Sequence, residues 1–279
     1  MNKQKVWLVT GASKGLGLNL VKKLLAEGYP VAATSRNKAA LITEIGDVSE
    51  HFLALEVDIV NEQSVKDAIT QLLSHFGQLD VVVNNAGYGQ IGTLEELSDE
   101  EVRRNHEVNV FGLLHVIRHV MPHFRAKRSG NFFNISSIGG YTGGFPGWGI
   151  YCSTKFAVSG LTESLAAEVK SFGVKVTLVY PGYFRTNFLS KESIMTPAHP
   201  IAAYEEARQS QAFHQNEVDG NQPGDPEKVA SVLIQIANEE KPPLHLFLGH
   251  DAYKMAYQKI EAVEAELELW KNQTLSTAF

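Results

Sequence analysis

The sequence predicts an α/β protein: a doubly wound parallel sheet of about seven strands with helices on both faces. Three observations carry this. Short β-branched runs alternate with longer stretches of helical period along the chain, which is the pattern of βαβ units. Most of the short runs are apolar throughout, as strands covered on both faces must be. No internal repeat and no Gly/Ser linker divides the 279 residues, so one domain spanning 1–279 is expected.

Strands are expected at Lys5 to Thr10, Val31 to Thr34, Phe52 to Val57, Leu79 to Asn84, Gly130 to Ile135, Lys175 to Tyr180 and Leu244 to Leu248. Between them, Leu16, Leu20, Val21, Leu24 and Leu25 mark one helix, and Val65, Ala68, Ile69, Leu72 and Leu73 mark another, at spacings of three and four. Gly28 and Gly77 stand where helix C-caps belong. Pro122 predicts a kink or break in the helix running from about Asp99 to Arg128. Asn187 to Asp225 resists a regular reading, with three prolines and many polar residues around a helix at Ala202 to Ala212; a loop of that length is expected to form a substrate-binding lid. From 251 to 273 an amphipathic helix carries Ala256, Ile260, Val263, Leu267 and Trp270 as an apolar stripe, expected to dock on the domain or on a partner subunit.

Composition narrows the function. Apolar residues make up 44% of the chain, enough for a buried core, and 25 basic against 31 acidic residues give a net charge of −6 with no block of like charge. That leaves no electrostatic footprint for nucleic acid. No run approaches the roughly 18 apolar residues of a membrane span, and the single cysteine, Cys152, forms no intrachain disulfide. The expectation is a protein of the cytoplasm with no metal site. His115, His119 and His123, at steps of four, read as one helical face, and Cys152 reads as a small packing residue.

The first strand runs into Thr10-Gly11-Ala12-Ser13-Lys14-Gly15-Leu16-Gly17, with an apolar helix directly behind it. Glycines permit the tight turn and let the backbone approach a pyrophosphate, whose charge the helix N-terminus favours. About twenty residues further on, a carboxylate at the end of the second strand would select NAD through the ribose 2′-hydroxyl. This chain has Thr34-Ser35-Arg36-Asn37 there. Arg36 offers a planar fork of donors to a phosphate, and Lys14 converges on the same group, so NADP(H) is the expected cofactor.

Tyr151-Cys152-Ser153-Thr154-Lys155 opens a later helix. At i and i+4 the phenol and the ammonium share one helical face. A phenol of ordinary pKa, about 10, is a poor acid–base catalyst near neutrality, and a neighbouring cation is expected to lower it.

Taken together, these motifs resemble the short-chain dehydrogenase/reductase superfamily: Thr10 to Gly17, Asn84-Asn85-Ala86-Gly87 after the fourth strand, Asn109 in a helix, Ser136-Ser137 after the fifth strand, Tyr151-x-x-x-Lys155, and Pro181-Gly182-x-x-x-Thr186 after the sixth. The match runs motif by motif from about residue 5 to 186. The resemblance implies a Rossmann-type fold and a hydride transfer between NADP(H) and a carbonyl or alcohol. It implies that Gly11, Ser13, Lys14, Gly15, Leu16 and Gly17 bind the pyrophosphate region, with Ser35 and Arg36 at the ribose phosphate and Asp58 and Ile59 beside the adenine. Asn84, Asn85, Ala86 and Gly87 would support the adenosine side. Tyr151 would be general acid or base, Lys155 would orient the nicotinamide ribose, Ser137 would hydrogen-bond the substrate oxygen, and Asn109 would hold a water linking Lys155 to solvent. Pro181, Gly182 and Thr186 would seat the nicotinamide.

Two departures follow. Ser137 lies fourteen residues before Tyr151, one more than the commonest family spacing, so Ser136 competes for its role and an extra residue is expected to bulge within Gly139 to Gly149. Thr154 replaces the more usual serine. Tyr88, Tyr141, Phe145, Trp148, Tyr183 and Phe188 crowd the loops around the reacting centre, so a lipophilic or aromatic ketone, aldehyde or secondary alcohol is the expected substrate. The alternative from another class is a catalytically silent NADP(H) sensor on the same fold; retention of Asn109, Ser137, Tyr151 and Lys155 together argues for the enzyme. Epimerisation or dehydration with the same cofactor is a third reading with no feature of its own. The resemblance also implies a homodimer or homotetramer pairing through the helices that hold Glu101 to Met121 and Tyr151 to Val169.

Overall fold

Residues 4–46, 49–190 and 193–279 are described by the structure, a computed structural model. The expected span of 1–279 and the expected lid at 187–225 therefore include positions, among them 191 and 192, that lie outside the described residues. In chain order the elements are β1 (Trp7–Val9), α1 (Gly15–Ala26), β2 (Val31–Ser35), α2 (Lys38–Ile45), β3 (Phe52–Glu56), α3 (Glu62–Phe76), β4 (Val81–Asn84), β5 (Gly89–Gln90), α4 (Asp99–His106), α5 (Gly112–Lys127), β6 (Gly130–Ile135), α6 (Gly149–Val169), β7 (Val174–Pro181), β8 (Ile194–Met195), α7 (Glu205–Phe213), α8 (Pro226–Asn238), β9 (His245–Leu248), α9 (His250–Leu269) and α10 (Lys271–Leu275).

Seven strands form one sheet in the order β3-β2-β1-β4-β6-β7-β9, and every pairing is parallel. The chain winds outward from β1 to β3, returns to β4, and winds the other way to β9. Beyond the carboxyl ends of β1 and β4, where the winding reverses, a crevice must open. Both faces of the sheet are covered. On one, Leu8, Val82, Phe132 and Leu178 pack with residues of α3, α5 and α6 such as Leu72, Val120 and Val158. On the other, Val9, Val83, Phe133 and Val179 pack with residues of α1 and α8 such as Leu24 and Leu233. This double coverage explains the uninterrupted apolar strands.

The seven expected strands are all present, β6 with the expected ends. The differences are informative. The helix through Pro122 does not break there, for α5 continues to Lys127 with Pro122 inside it. The irregularity lies earlier, in a π-turn at Glu107–Phe111 between α4 and α5. The two-residue strands β5 and β8, which pair with each other, are too short to show a period. The expected helix at Ala202 to Ala212 is α7 followed by a π-turn at His214–Val218. The C-terminal helix docks only at its start: Ala252 and Ala256 are buried, whereas every residue from 257 to 279 is exposed. None of the helices among the described residues is long and apolar enough to cross a membrane.

Phe124 has no exposed surface, lies 5.0 Å from Phe132 and fills the space above Gly130, where a Cβ would collide with its ring. Phe124→Ala is expected to remove about 3–5 kcal/mol of stability, read as a lowered midpoint in urea denaturation.

Candidate active site

The crevice is a continuous cleft of about 620 Å³ lined from the glycine turn at one end to Trp148 and Phe188 at the other. The turn owes its shape to two left-handed glycines, Gly11 at φ +64° and Gly15 at φ +61°. A Cβ on Gly11 would stand 2.7 Å from the Ala86 Cα, and one on Gly17 would stand 2.6 Å from the Asn85 amide nitrogen. Gly17 therefore serves close packing and, unlike Gly11 and Gly15, does not line the cleft. The turn is stitched to the strand beside it: Asn85 Nδ2 donates to the Thr10 and Gly11 carbonyls at 2.9 and 3.0 Å, and the Asn85 and Ala86 amides donate to Thr10 Oγ1. At the start of α1 the Lys14 side chain makes no cap, so the helix N-terminus faces the cleft with amides available to an anion.

Ser13, Lys14, Gly15, Leu16, Ser35, Arg36, Asp58, Ile59, Asn85, Ala86 and Gly87 all line this end of the cleft. The exposed Arg36 follows directly on β2. Lys14 is engaged across the cleft, its Nζ donating to Ser193 Oγ at 2.6 Å. Sequence reasoning missed Arg104, which joins Arg36 in the lining and with it acts electrostatically on Tyr88. Nothing in the local pattern singles Arg104 out, because its place depends on how α4 crosses the sheet.

At the other end, α6 carries Tyr151, Thr154 and Lys155, all buried. Lys155 Nζ donates to the Ile135 carbonyl at 2.9 Å and lies 5.8 Å from the centre of the Tyr151 ring. Burial lowers the Lys155 pKa to about 8. Burial also pushes the Tyr151 phenol up, and the nearby Ser137 hydroxyl opposes that rise. The sequence-based expectation that Lys155 lowers the phenol is thus not met in the ligand-free protein, because removing the phenolate from water outweighs its neighbours. The Cys152 thiol, which also borders the cleft, is pushed up to about 11 by burial.

The two serines are told apart by their partners. Ser136 is buried, with its hydroxyl donating to the Lys155 carbonyl at 3.0 Å and meeting Ser159 Oγ at 3.2 Å. Ser137 accepts one bond, from the Gly139 amide at 3.1 Å, and its hydroxyl faces the phenol in the cleft. Asn109 sits in the π-turn, buried beneath the cleft. Its Oδ1 accepts from the Tyr88 amide at 3.0 Å, while Nδ2 donates to the Tyr88 carbonyl at 3.1 Å and to Thr154 Oγ1 at 3.0 Å. Both amide hydrogens are used within the protein, leaving one lone pair of Oδ1 for a water. A Cβ on Gly87 would stand 3.0 Å from that Oδ1 and 3.5 Å from Lys155 Nζ, so the glycine keeps the ammonium, the amide and the cleft in one small space.

Pro181, Gly182 and Thr186 line the cleft after β7. Gly182 has a second reason to be glycine. Asp251, at the start of α9, occupies the place of its Cβ and accepts from the Tyr183 amide at 2.6 Å. Of the six expected substrate-wall aromatics, Tyr88, Phe145, Trp148, Tyr183 and Phe188 line the cleft. Tyr141 does not: its ring packs against Tyr180 at 5.6 Å and Phe247 at 5.0 Å, within the core. The wall also includes His214, which the sequence did not single out. Its Nδ1 lies 2.7 Å from the Ser210 carbonyl and its Nε2 2.9 Å from the Tyr183 hydroxyl. Among the described residues no three His, Cys, Asp or Glu side chains converge as metal ligands. His115 and His123 bond to backbone carbonyls, and His119 bonds to Glu62.

Strand order, glycine turn and the Tyr151–Lys155 pair together define a nucleotide-binding oxidoreductase architecture. The chain matches the short chain dehydrogenase family over residues 5–196, and it belongs to that family of oxidoreductases. It is similar to the oxidoreductase BOA17 of Botryotinia fuckeliana, 33% identical over 98% of this chain and 99% of the relative. It is also similar to a 3-ketodihydrosphingosine reductase of Bacteroides thetaiotaomicron, 36% identical over 88% of each. A short-chain dehydrogenase from Streptomyces avermitilis superposes with a TM-score of 0.90 at 36% identity, over 98% of this chain and all of that one. A 3-ketoacyl-(acyl-carrier-protein) reductase from Brucella melitensis, solved with NADH, superposes with a TM-score of 0.73 at 26% identity, over 88% of this chain and 96% of that one.

The lowered Lys155 pKa has a consequence for stability. Between about 8, its folded value, and its higher ordinary value, the unfolded chain holds a proton that the folded one has released, so stability rises with pH across that window. In the ligand-free protein this group is expected to raise the thermal midpoint from pH 8 towards pH 10, and Lys155→Met is expected to flatten that segment of the profile.

Proposed function

We propose that this protein is an NADP(H)-dependent reductase of lipophilic or aromatic carbonyl compounds, acting as an alcohol dehydrogenase in reverse. The observation that carries the reading is that one continuous cleft joins the glycine turn to Tyr151, Lys155 and Ser137. Residues of the turn fit a dinucleotide: the left-handed glycines and the open helix end leave room and amide donors for a pyrophosphate. No acid stands at the end of β2, where Ser35 and Arg36 follow, and Arg36 with Lys14 provides the cations a ribose phosphate would need. When bound, the nicotinamide supplies or takes up hydride.

The residues of the chain do the rest. Burial holds Tyr151 in the protonated form, which a general acid for carbonyl reduction requires. Its Oη delivers the proton to the substrate oxygen while Ser137 hydrogen-bonds that oxygen. Below pH 8 the Lys155 ammonium is charged, and it stabilises the phenolate left behind. Asn109 fixes Tyr88 on one side and Thr154 on the other, which sets the depth of α6 beneath the cleft. Trp148, 5.6 Å from the Tyr151 ring, and Phe188, 5.8 Å from it, form an apolar wall around the reacting oxygen. A ketone is also the substrate named for the Bacteroides thetaiotaomicron relative.

Two measurements test this. Loss of NADPH absorbance with a panel of aromatic and long-chain ketones is expected for the unaltered protein, and Tyr151→Phe is expected to lower turnover by roughly 10²–10⁴-fold with NADPH binding retained; unchanged turnover sinks the mechanism. In fluorescence titrations NADPH is expected to bind more tightly than NADH, and Arg36→Asp to weaken NADPH by roughly 10- to 100-fold, the worth of a charge-assisted bond. Tighter binding of NADH to the unaltered protein refutes the cofactor assignment.

A further inference from the structure

The C-terminal helix leaves the body of the molecule after two turns. It is anchored by the buried Ala252 and Ala256 and by Asp251 beneath Gly182. Along the helix, apolar residues at 253, 256, 260, 263, 267 and 270 fall in alternating steps of three and four, with the exposed Tyr257 and Leu269 off this line. That is a heptad seam, with Tyr253, Ile260 and Leu267 at one core position and Ala256, Val263 and Trp270 at the other. The seam is left open: Ile260 is 47% exposed, Leu267 59% and Trp270 57%. Isolated exposed apolar residues need no explanation, but an ordered seam of them marks an interaction surface.

Charge decides the occupant. The helix surface also carries Glu261, Glu264, Glu266 and Glu268, which an anionic lipid surface would repel. Within α9 the charged positions flanking the seam are Lys259, Glu264 and Glu266; Lys271 lies beyond the helix end, in α10, and pairs with Glu268 of its own chain at 3.2 Å. In a parallel pair of identical helices, the residue just before one core position meets the residue five positions further along in the other helix. Lys259 then meets Glu264 of the partner subunit, twice by symmetry. The domain covers Ala256 but leaves Tyr253 exposed, and from Ile260 onward the whole seam is open.

We propose that this helix pairs in parallel with the same helix of a second copy of the chain, over Ile260 to Leu269. The pairing is separate from any contact through α5 and α6. So short a seam is too little to hold alone, so it acts as a clasp on a larger association. Because Asp251 at the root of the helix holds the Tyr183 amide, the clasp steadies the wall of the cleft from outside it.

A parallel pair brings identical seam residues face to face, and this makes it testable in the full-length protein. The native Cys152 is buried with its thiol pushed up to about 11, so added cysteines report on themselves. Under mild oxidation, Val263→Cys and Leu267→Cys are expected to form intermolecular disulfides at least on the order of tenfold faster than Ala265→Cys, on the opposite side of the helix, because pairing raises the effective concentration. The charge reversal Lys259→Glu is expected to reduce the difference, and adding Glu264→Lys to restore it. Equal rates at 265 and 267, a monomer by light scattering, or flotation with phosphatidylcholine–phosphatidylserine vesicles in the absence of cross-links would overturn the proposal.

Discussion

An ammonium group buried under the cleft is the constraint around which its Tyr151 end is arranged. Taking Lys155 out of water costs enough to bring its pKa to about 8, and an uncompensated buried charge is not tolerated. Compensation comes from three directions. The Ile135 carbonyl at the end of β6 accepts a hydrogen bond, Asn109 brings its carbonyl oxygen near, and the missing side chain of Gly87 keeps the intervening space open. Each requirement reaches back into the fold. The π-turn at Glu107–Phe111 inserts the extra residue that such turns bring to functional sites, and Asn109 lies within it. Ser136 and Ser159 bond the Lys155 carbonyl, and the chain from Asn84 through Asn134 to Thr162 ties β4, β6 and α6 together through the core.

The mouth of the cleft is held by a different device, a carboxylate with almost no access to water. The Glu96 side chain is 0% exposed and pairs with Arg208 of α7 at 2.8 Å, while also accepting from the Thr93 and Ile201 amides. Such a pair contributes little net stability, because desolvation offsets attraction, but it fixes geometry, since breaking it strands a charge. With the short ladder between β5 and β8 and the contact of Lys14 with Ser193, it ties residues between 193 and 208 to the walls of the cleft. A phosphate that drew Lys14 to itself would have to take it from Ser193.

Much of this was legible in the sequence, and the boundary has physical causes. Strands buried on both faces announce themselves by unbroken apolar runs, which is why Gly130 to Ile135 could be placed to the residue. Glycines forced by φ or close approach, such as Gly11, are legible because few other residues fit. Tyr151 and Lys155 are legible because helical spacing alone puts them on one face. What escaped depends on long-range placement. Arg104 and His214 reach the cleft, and Asp251 its backing at Tyr183, from elements whose approach no local period encodes. Tyr141 has the composition of a wall residue, yet it turns into the core because Tyr180 and Phe247 offer it a stack. Pro122 carries a strong local signal for a break, but α5 runs on through it. The real irregularity is the π-turn that holds Asn109.

Tyr183 shows how such long-range placement shapes recognition. Its backbone is clamped by Asp251 from α9 and its hydroxyl by His214 beyond α7, so one wall of the cleft answers to both the C-terminal helix and the segment after α7. The direction of the second bond can be derived. The Ser210 carbonyl can only accept, so His214 Nδ1 carries a proton. Burial lowers the pKa of this imidazole, which keeps it neutral near pH 7, so Nε2 has no hydrogen and must accept from the Tyr183 hydroxyl. With its only hydrogen committed, the Tyr183 oxygen can meet any further partner only as an acceptor.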